Sequence, residues 1–168
     1  MAITIRKAIS KDVPEILNLW KGLMLHHQKL VRKNREKKPL LGLVPDARGK
    51  FRKWVGQWMK SDDGLVLVAE DKEARSGKKI VGYSLNFIKQ GIPVFKVGLF
   101  GHMGDLFVKQ GYRGKSISSR FKNAAWKWFR KKKMKYASIS YYPENKDATE
   151  IYRKWGFLDY HIEMRRKL

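Results

Sequence analysis

At 168 residues, 43% hydrophobic and 12% aromatic, the chain has the length and composition of one packed domain, which excludes a disordered polypeptide. It has no cysteine and no apolar run near the about 18 residues of a membrane span, which excludes disulfides, thiolate metal sites, a cysteine nucleophile and a spanning helix. Thirty-eight Lys and Arg against fifteen Asp and Glu give +23 at pH 7, a field that draws anions such as nucleic acid, an anionic cofactor or an acidic protein.

The first residues, Ile3-Thr4-Ile5-Arg6-Lys7, alternate in period two and predict a strand. They lack the apolar block of a secretory signal, so a cytoplasmic location is expected. Val13, Ile16, Leu17, Trp20, Leu23 and Met24 recur at helical spacing and predict a helix to about Lys29. Ser10 or Asp12 caps it; Asp12 and Glu15 have the spacing of a capping box, and Pro14 suits a first turn. His26 and His27 fall near its end, where an imidazole compensates the helix dipole.

Residues 29–38 carry six basic side chains and one acid, and Pro39, Gly42, Pro45 and Gly49 break any long helix there. A second helix starts near Asp46, with Phe51, Trp54, Val55, Trp58 and Met59 on one face. Residues 64–70 predict a buried strand, the polar run 71–79 with Gly77 a turn, and residues 80–89 the return strand. Gly82 within it signals a bulge or a close backbone approach. After the turn at 90–93, residues 95–108 form one strand or two, bendable at Gly98, Gly101 and Gly104.

Ile117, Phe121, Ala124, Ala125 and Trp128 mark a helix over 116–130, closed by a basic run that complements its C-terminal dipole. Residues 136–141 predict a strand, a helix with Ala148, Ile151, Tyr152 and Trp155 follows Asn145, and Gly156 supplies its C-cap. Residues 157–167 alternate loosely and predict a closing strand. The order is β-α-α-β-β-β-α-β-α-β. It implies a single α/β (α+β) domain over 1–168, with a mixed, mostly antiparallel central sheet of about six to seven strands and helices on both faces.

One stretch carries an evident chemistry. From Asp105, the apolar Leu106-Phe107-Val108 turns through Lys109-Gln110-Gly111-Tyr112-Arg113-Gly114-Lys115 into the helix that begins Ser116-Ile117-Ser118. A strand, a basic loop and a helix N-terminus together hold phosphate, because the first helical N–H groups have no partner of their own and the dipole favours an anion. Arg113 and Lys115 add fixed charge there.

This stretch, read as DLFVKQGYRGKSIS, together with Asn145-Lys146-Asp147-Ala148-Thr149-Glu150-Ile151-Tyr152-Arg153-Lys154-Trp155-Gly156-Phe157, resembles the GNAT superfamily of acetyl-coenzyme A dependent N-acetyltransferases. The first segment is similar to that family's acyl-CoA pattern, DLxV followed by YRGKGIG, with Ser116 and Ser118 where the family has glycines. The second matches NxxAxxxYxKxGF at every marked position, and IRKAISKDVPEI resembles the family's first strand and helix.

The resemblance implies acetyl-CoA as cosubstrate and no metal. It places the pyrophosphate on the N–H groups of Arg113, Gly114, Lys115, Ser116, Ile117 and Ser118, and the pantetheine arm beside Leu106, Phe107 and Val108, where a strand N–H serves the thioester oxyanion. Asn145 contacts the coenzyme or anchors the turn, and Tyr152 protonates the leaving thiolate. The amine needs a base, for which Asp105, Glu144, Glu70 and His102 are open candidates. The two serines imply a wider or shifted cradle, since serine lacks glycine's tolerance of positive φ. The basic run 29–38 borders the expected acceptor site and points to an acceptor amine on an acidic protein or a nucleic-acid-associated partner. The alternative is a non-catalytic module of the same fold that binds coenzyme A or nucleic acid.

Overall fold

The structure, a computed structural model, describes residues 2–74 and 79–168. β1 (Ile3–Lys7) forms where its alternation places it and pairs antiparallel with β2 (Gly64–Asp71). β2 pairs with β3 (Lys79–Gln90), and β3 with β4 (Leu99–Val108), again antiparallel. β5 (Ala137–Ile139) joins β4 in parallel, from Gly101 opposite Ala137 to Met103 opposite Ile139. Among the described residues the sheet therefore has five strands, in the order β1-β2-β3-β4-β5. The turn expected at Gly77 lies outside the described residues.

Four α-helices flank this sheet among the described residues: α1 (Val13–Leu30), α2 (Ala47–Lys60), α3 (Ile117–Lys131) and α4 (Lys146–Lys154). The pleat sends alternate residues to opposite faces. Val66 and Val68 of β2, with Tyr83 and Leu85 of β3, lie under Ile16, Leu17 and Trp20 of α1 and Phe51 and Val55 of α2. Leu65, Leu67 and Ala69 face the other way, with Val81 and Val108, and meet Ile117 and Phe121 of α3. Helices thus cover both faces, and strands buried on both sides read as the continuous apolar run of residues 64–69.

Three expectations are corrected. Residues 157–167 form no strand. Leu158, Tyr160, Ile162 and Met164 are all more than three quarters exposed, because β5 is three residues long and presents no extended edge for them. The count of six to seven strands falls to five, because residues 157–167 form none and the segment 95–108 gives the single strand Leu99–Val108. Asp12 is not a side-chain cap: its Oδ2 accepts the Ile9 N–H at 2.8 Å, and its two oxygens take a forked bond from Arg6 at 2.7 and 2.9 Å. A guanidinium on the neighbouring strand binds a carboxylate more strongly than a helix N–H does.

Glycine is required at two positions in β4, Gly101, where a Cβ would run into the Phe129 ring, and Gly104. The register against β3 shifts between Leu85 and Asn86, so Asp105 faces Leu85 and Met103 faces Asn86, leaving Gly104 as the inserted residue of a bulge. A Cβ on Gly104 would stand 2.9 Å from the Phe87 ring. Gly82 combines both expected features, since the β2 register shifts beside it and its Cβ would meet the Phe107 carbonyl oxygen at 2.8 Å.

Candidate active site

The pairing of β4 with β5 stops at Met103 and Ile139. Beyond it, residues 104–108 keep β3 on one side and have no strand on the other among the described residues. The bulge at Gly104 starts this divergence, and a V-shaped opening results in which one line of β4 backbone groups is left to pair with something else.

At the end of β4 the chain makes a short 3-10 turn (Gln110–Tyr112) and enters α3. The turn is pinned by the Tyr112 hydroxyl, which donates to Asp71 Oδ2 at 3.0 Å, and by Arg113, whose Nε donates to the Val108 carbonyl at 3.2 Å. Arg113 lies over the Phe107 ring at 5.8 Å and Lys115 over Tyr112 at 5.4 Å, so both cations stay at the mouth of the opening. The first helical bond is Arg120 N–H to the Ser116 carbonyl at 3.0 Å. The N–H groups of Ile117, Ser118 and Ser119 precede it and point out of the helix end.

Gly114 has φ +75 and Ser116 φ +56, the left-handed conformation that a side chain disfavours. Ser116 thus holds a left-handed backbone that glycine takes without strain. Ser116→Gly is expected to stabilise the fold by about 0.5–1 kcal/mol, measured by chemical denaturation. Unchanged stability would mean the serine is relaxed there.

The anticipated contact residues divide by role. The side chains of Val108 and Ile117 are buried in the core under α3, with Leu106 packed beside them, and Phe107 packs toward α1, its ring 3.0 Å from where a Cβ on Gly22 would stand. For Val108 and Ile117 only the backbone is left to face the opening. Asn145 caps α4: its Oδ1 accepts the Ala148 N–H at 3.3 Å, and its own N–H reaches the Tyr142 carbonyl at 2.8 Å.

Tyr152 sits in a ring cluster with Tyr141, Trp155 and Phe157, at centroid distances of 6.1, 5.5 and 6.3 Å. A glycine stop fixes this arrangement. Gly156, at φ +87, bonds back to the Arg153 carbonyl, and the Phe157 N–H to that of Tyr152, the two bonds of a Schellman motif with its accompanying apolar contact. Burial pushes the Tyr152 phenol up to about 12, so it is a neutral donor at physiological pH.

Of the four candidate bases, the structure sets Asp105 apart. Burial raises its carboxyl to about 6, although the Tyr83 hydroxyl, donating to Oδ2 at 2.8 Å, pulls in the opposite direction. Its Oδ1 has no protein partner among the described residues. Glu70 is held by Arg6 at 3.0 Å. Glu144 is bound by Lys37 at 2.5 Å, which lowers its pKa. His102 bonds the Ser138 hydroxyl at 2.7 Å, and burial, with the positive Lys89, brings its imidazole down to about 4.

Tyr83 was not singled out in the sequence. It stands two residues from Leu85, which faces Asp105, so it reaches Asp105 diagonally on the same sheet face. The Lys37–Glu144 pair ties the basic segment between α1 and α2 to the turn before α4. His27 packs edge-on to Tyr142 at 4.8 Å, and burial and His26 bring it down to about 4. The end of α1, the basic segment and the start of α4 therefore border the same end of the sheet.

The model of the Acetyltransferase (GNAT) family matches residues 31–157. No curated protein matches the chain by sequence. Among solved structures, a tetramutant of the BH1408 protein from Bacillus halodurans is similar at a TM-score of 0.76 and 22% identity, covering 98% of this chain and 99% of that one. A predicted acetyltransferase with acetyl-CoA from Clostridium acetobutylicum follows at 0.73 and 15%, covering 99% and 96%. The aminoglycoside N-acetyltransferase AAC(6')-Iy, in complex with a bisubstrate analogue of coenzyme A, is similar at 0.72 and 15%, covering 100% and 99%. At such identities these structures speak to the fold alone.

Proposed function

Because the chain belongs to the GNAT acetyltransferase family, we propose that it moves an acetyl group from acetyl-CoA to an amine by direct attack, with no covalent enzyme intermediate. The observation that carries this reading is the β4 edge, left open from Gly104 to Val108 and followed, after one short turn and the basic loop, by the N-terminus of α3. Backbone N–H groups of β4 hold the pantetheine arm and meet the charge that develops on the thioester oxygen. The outward N–H groups of Ile117 and Ser118, with those of the loop from Arg113 to Ser116, take the pyrophosphate.

As the amine nitrogen bonds the carbonyl carbon, the carbon–sulfur bond breaks and the electron pair leaves on sulfur. Tyr152 donates a hydrogen bond, and then a proton, to that thiolate. Asp105, through Oδ1 or one water, takes the proton that the amine gives up. Asn145 holds the start of α4 and so the height of Tyr152 above the site. The rim carries Arg32, Lys33, Arg35 and Lys38, which repel a free polycation and attract an amine in acidic surroundings, on a protein or beside nucleic acid. The acceptor of AAC(6')-Iy is an aminoglycoside, and this rim is unsuited to such a cation.

The test is release of free coenzyme A thiol from acetyl-CoA with a pool of acceptors: acidic peptides, RNA-bound proteins and polyamines. Acidic or RNA-associated acceptors are expected to turn over best at physiological salt. Polyamines as the best acceptors would contradict the charge argument. Absence of thiol release with every acceptor would favour the non-catalytic module.

A further inference from the structure

A second concentration of positive charge lies at the far end of α3 from the acetyl site. Between Asp105 and Glu144 the sequence has eleven Lys and Arg and no acid. Six of these, Lys127, Arg130, Lys131, Lys132, Lys133 and Lys135, fall within residues 127–135, and all but the half-buried Lys132, which pairs with Asp63 at 3.7 Å, are exposed. None of the five exposed cations takes part in an ion pair among the described residues. Lys127 and Arg130 lie across α3 from the buried stripe of Ile117, Phe121, Ala125 and Phe129, so they face solvent by helix geometry.

The helix C-terminus accounts for one or two of these cations through its dipole, and not for five. One of them occupies an adverse position. Lys133 has φ +60 at the residue after the α3 cap, with its N–H on the Arg130 carbonyl at 2.9 Å. Glycine is the relaxed choice there. An uncompensated cluster of this kind is offset by a polyanion.

Chemistry also discriminates among polyanions. An anionic membrane surface is bound by cations beside exposed apolar side chains, whereas the apolar face of α3 is spent on the sheet. No large apolar residue between Leu99 and Tyr136 is exposed, and Tyr136 itself is 61% exposed beside Lys135. Around the edge of the patch an open groove is lined by Lys7, Trp128, Lys131 and Lys132, with Ser61 and the single acid Asp62 on its other wall. Ammonium groups set beside accessible aromatic rings suit phosphates joined to stackable bases.

We propose that the C-terminal end of α3, from Lys127 to Tyr136, is a docking surface for single-stranded nucleic acid, bound through its phosphates without sequence preference. At about 1.5 Å per residue it lies about 15 to 20 Å from the N-terminus of α3, so it is separate from the site proposed for the coenzyme and depends on none of the roles given there.

Fluorescence anisotropy of a labelled mixed-sequence RNA of about 20 nucleotides, followed between about 50 and 200 mM salt, tests this. One variant carries Lys127→Gln, Arg130→Gln, Lys131→Gln and Lys133→Gln. A control carries Arg48→Gln, Lys50→Gln, Arg52→Gln and Lys53→Gln, all exposed on or beside the outer side of α2, and has the same net charge. The α3 variant is expected to lose at least about 10-fold in affinity, with a salt slope shallower by about 3, while the control stays within about 3-fold. The single Arg130→Gln, with a slope shallower by about 0.7, keeps the test open if the fourfold variant unfolds. Equal losses in both fourfold variants would overturn the proposal. So would salt-insensitive binding, or phosphatidylserine vesicles or polyglutamate displacing the RNA at equal charge.

Discussion

Replacing Tyr152 by Phe is expected to lower kcat by about 100-fold or more while leaving the affinity for acetyl-CoA within about 2-fold. The ring contacts with Tyr141, Trp155 and Phe157 survive the change, and so does the Schellman stop at Gly156, since neither uses the hydroxyl. A purely structural Tyr152 would therefore give a variant of normal activity. The phenol, pushed up to about 12, lies above a free thiol at about 8.5, so complete proton transfer is uphill in water. Inside the site the same dry surroundings raise the proton affinity of a departing thiolate and close part of that gap. Tyr152 ionisation consequently leaves no fall in rate below about pH 10.

The second large effect concerns Asp105. With its carboxyl at about 6, wild-type kcat/KM is expected to rise with pH and level off above that value, as the base ionises. Asp105→Asn should abolish this limb and lower kcat/KM by about 100-fold. Tyr83→Phe provides an independent sign. The hydroxyl holds the Asp105 carboxylate down, so its loss should move the limb upward by about one unit. A limb unmoved in both variants would place the base elsewhere.

Stability should respond in the opposite sense to activity. The folded-state pKa of Asp105 lies above the unfolded value near 4, so the folded chain holds that proton more tightly. Its ionisation destabilises the fold progressively as pH rises from about 4 to about 6, by up to about 3 kcal/mol and less where water reaches Oδ1. Asp105→Asn should therefore be the more stable protein at pH 7 and the slower enzyme.

Local signals in the chain were sufficient for most of the frame. The alternation of residues 3–7, the apolar run of 64–69 and the glycine after α4 each act through near neighbours, and each element forms within a few residues of its expected bounds. Residues 157–167 alternate just as legibly, but alternation states which side chains share a face and not whether a strand edge stands beside them. Asp12 has the spacing of a capping box, and its partner Arg6 arrives from a different element. The same limit applies at the site. The loop and helix of residues 109–118 are contiguous and could be read, whereas the Asp105–Tyr83 pair depends on a register set by one inserted residue, Gly104.

Titration calorimetry of acetyl-CoA into the full chain and into a Ser118→Glu variant tests the proposed coenzyme site most directly. A glutamate in the first turn of α3 favours the helix itself, yet it sets a negative charge where the pyrophosphate would rest. Saturable one-site binding by the wild type, weakened at least about 10-fold in the variant, is the expected result. No saturable binding, or equal affinity in both proteins, would contradict a coenzyme held between the open edge of β4 and the N-terminus of α3.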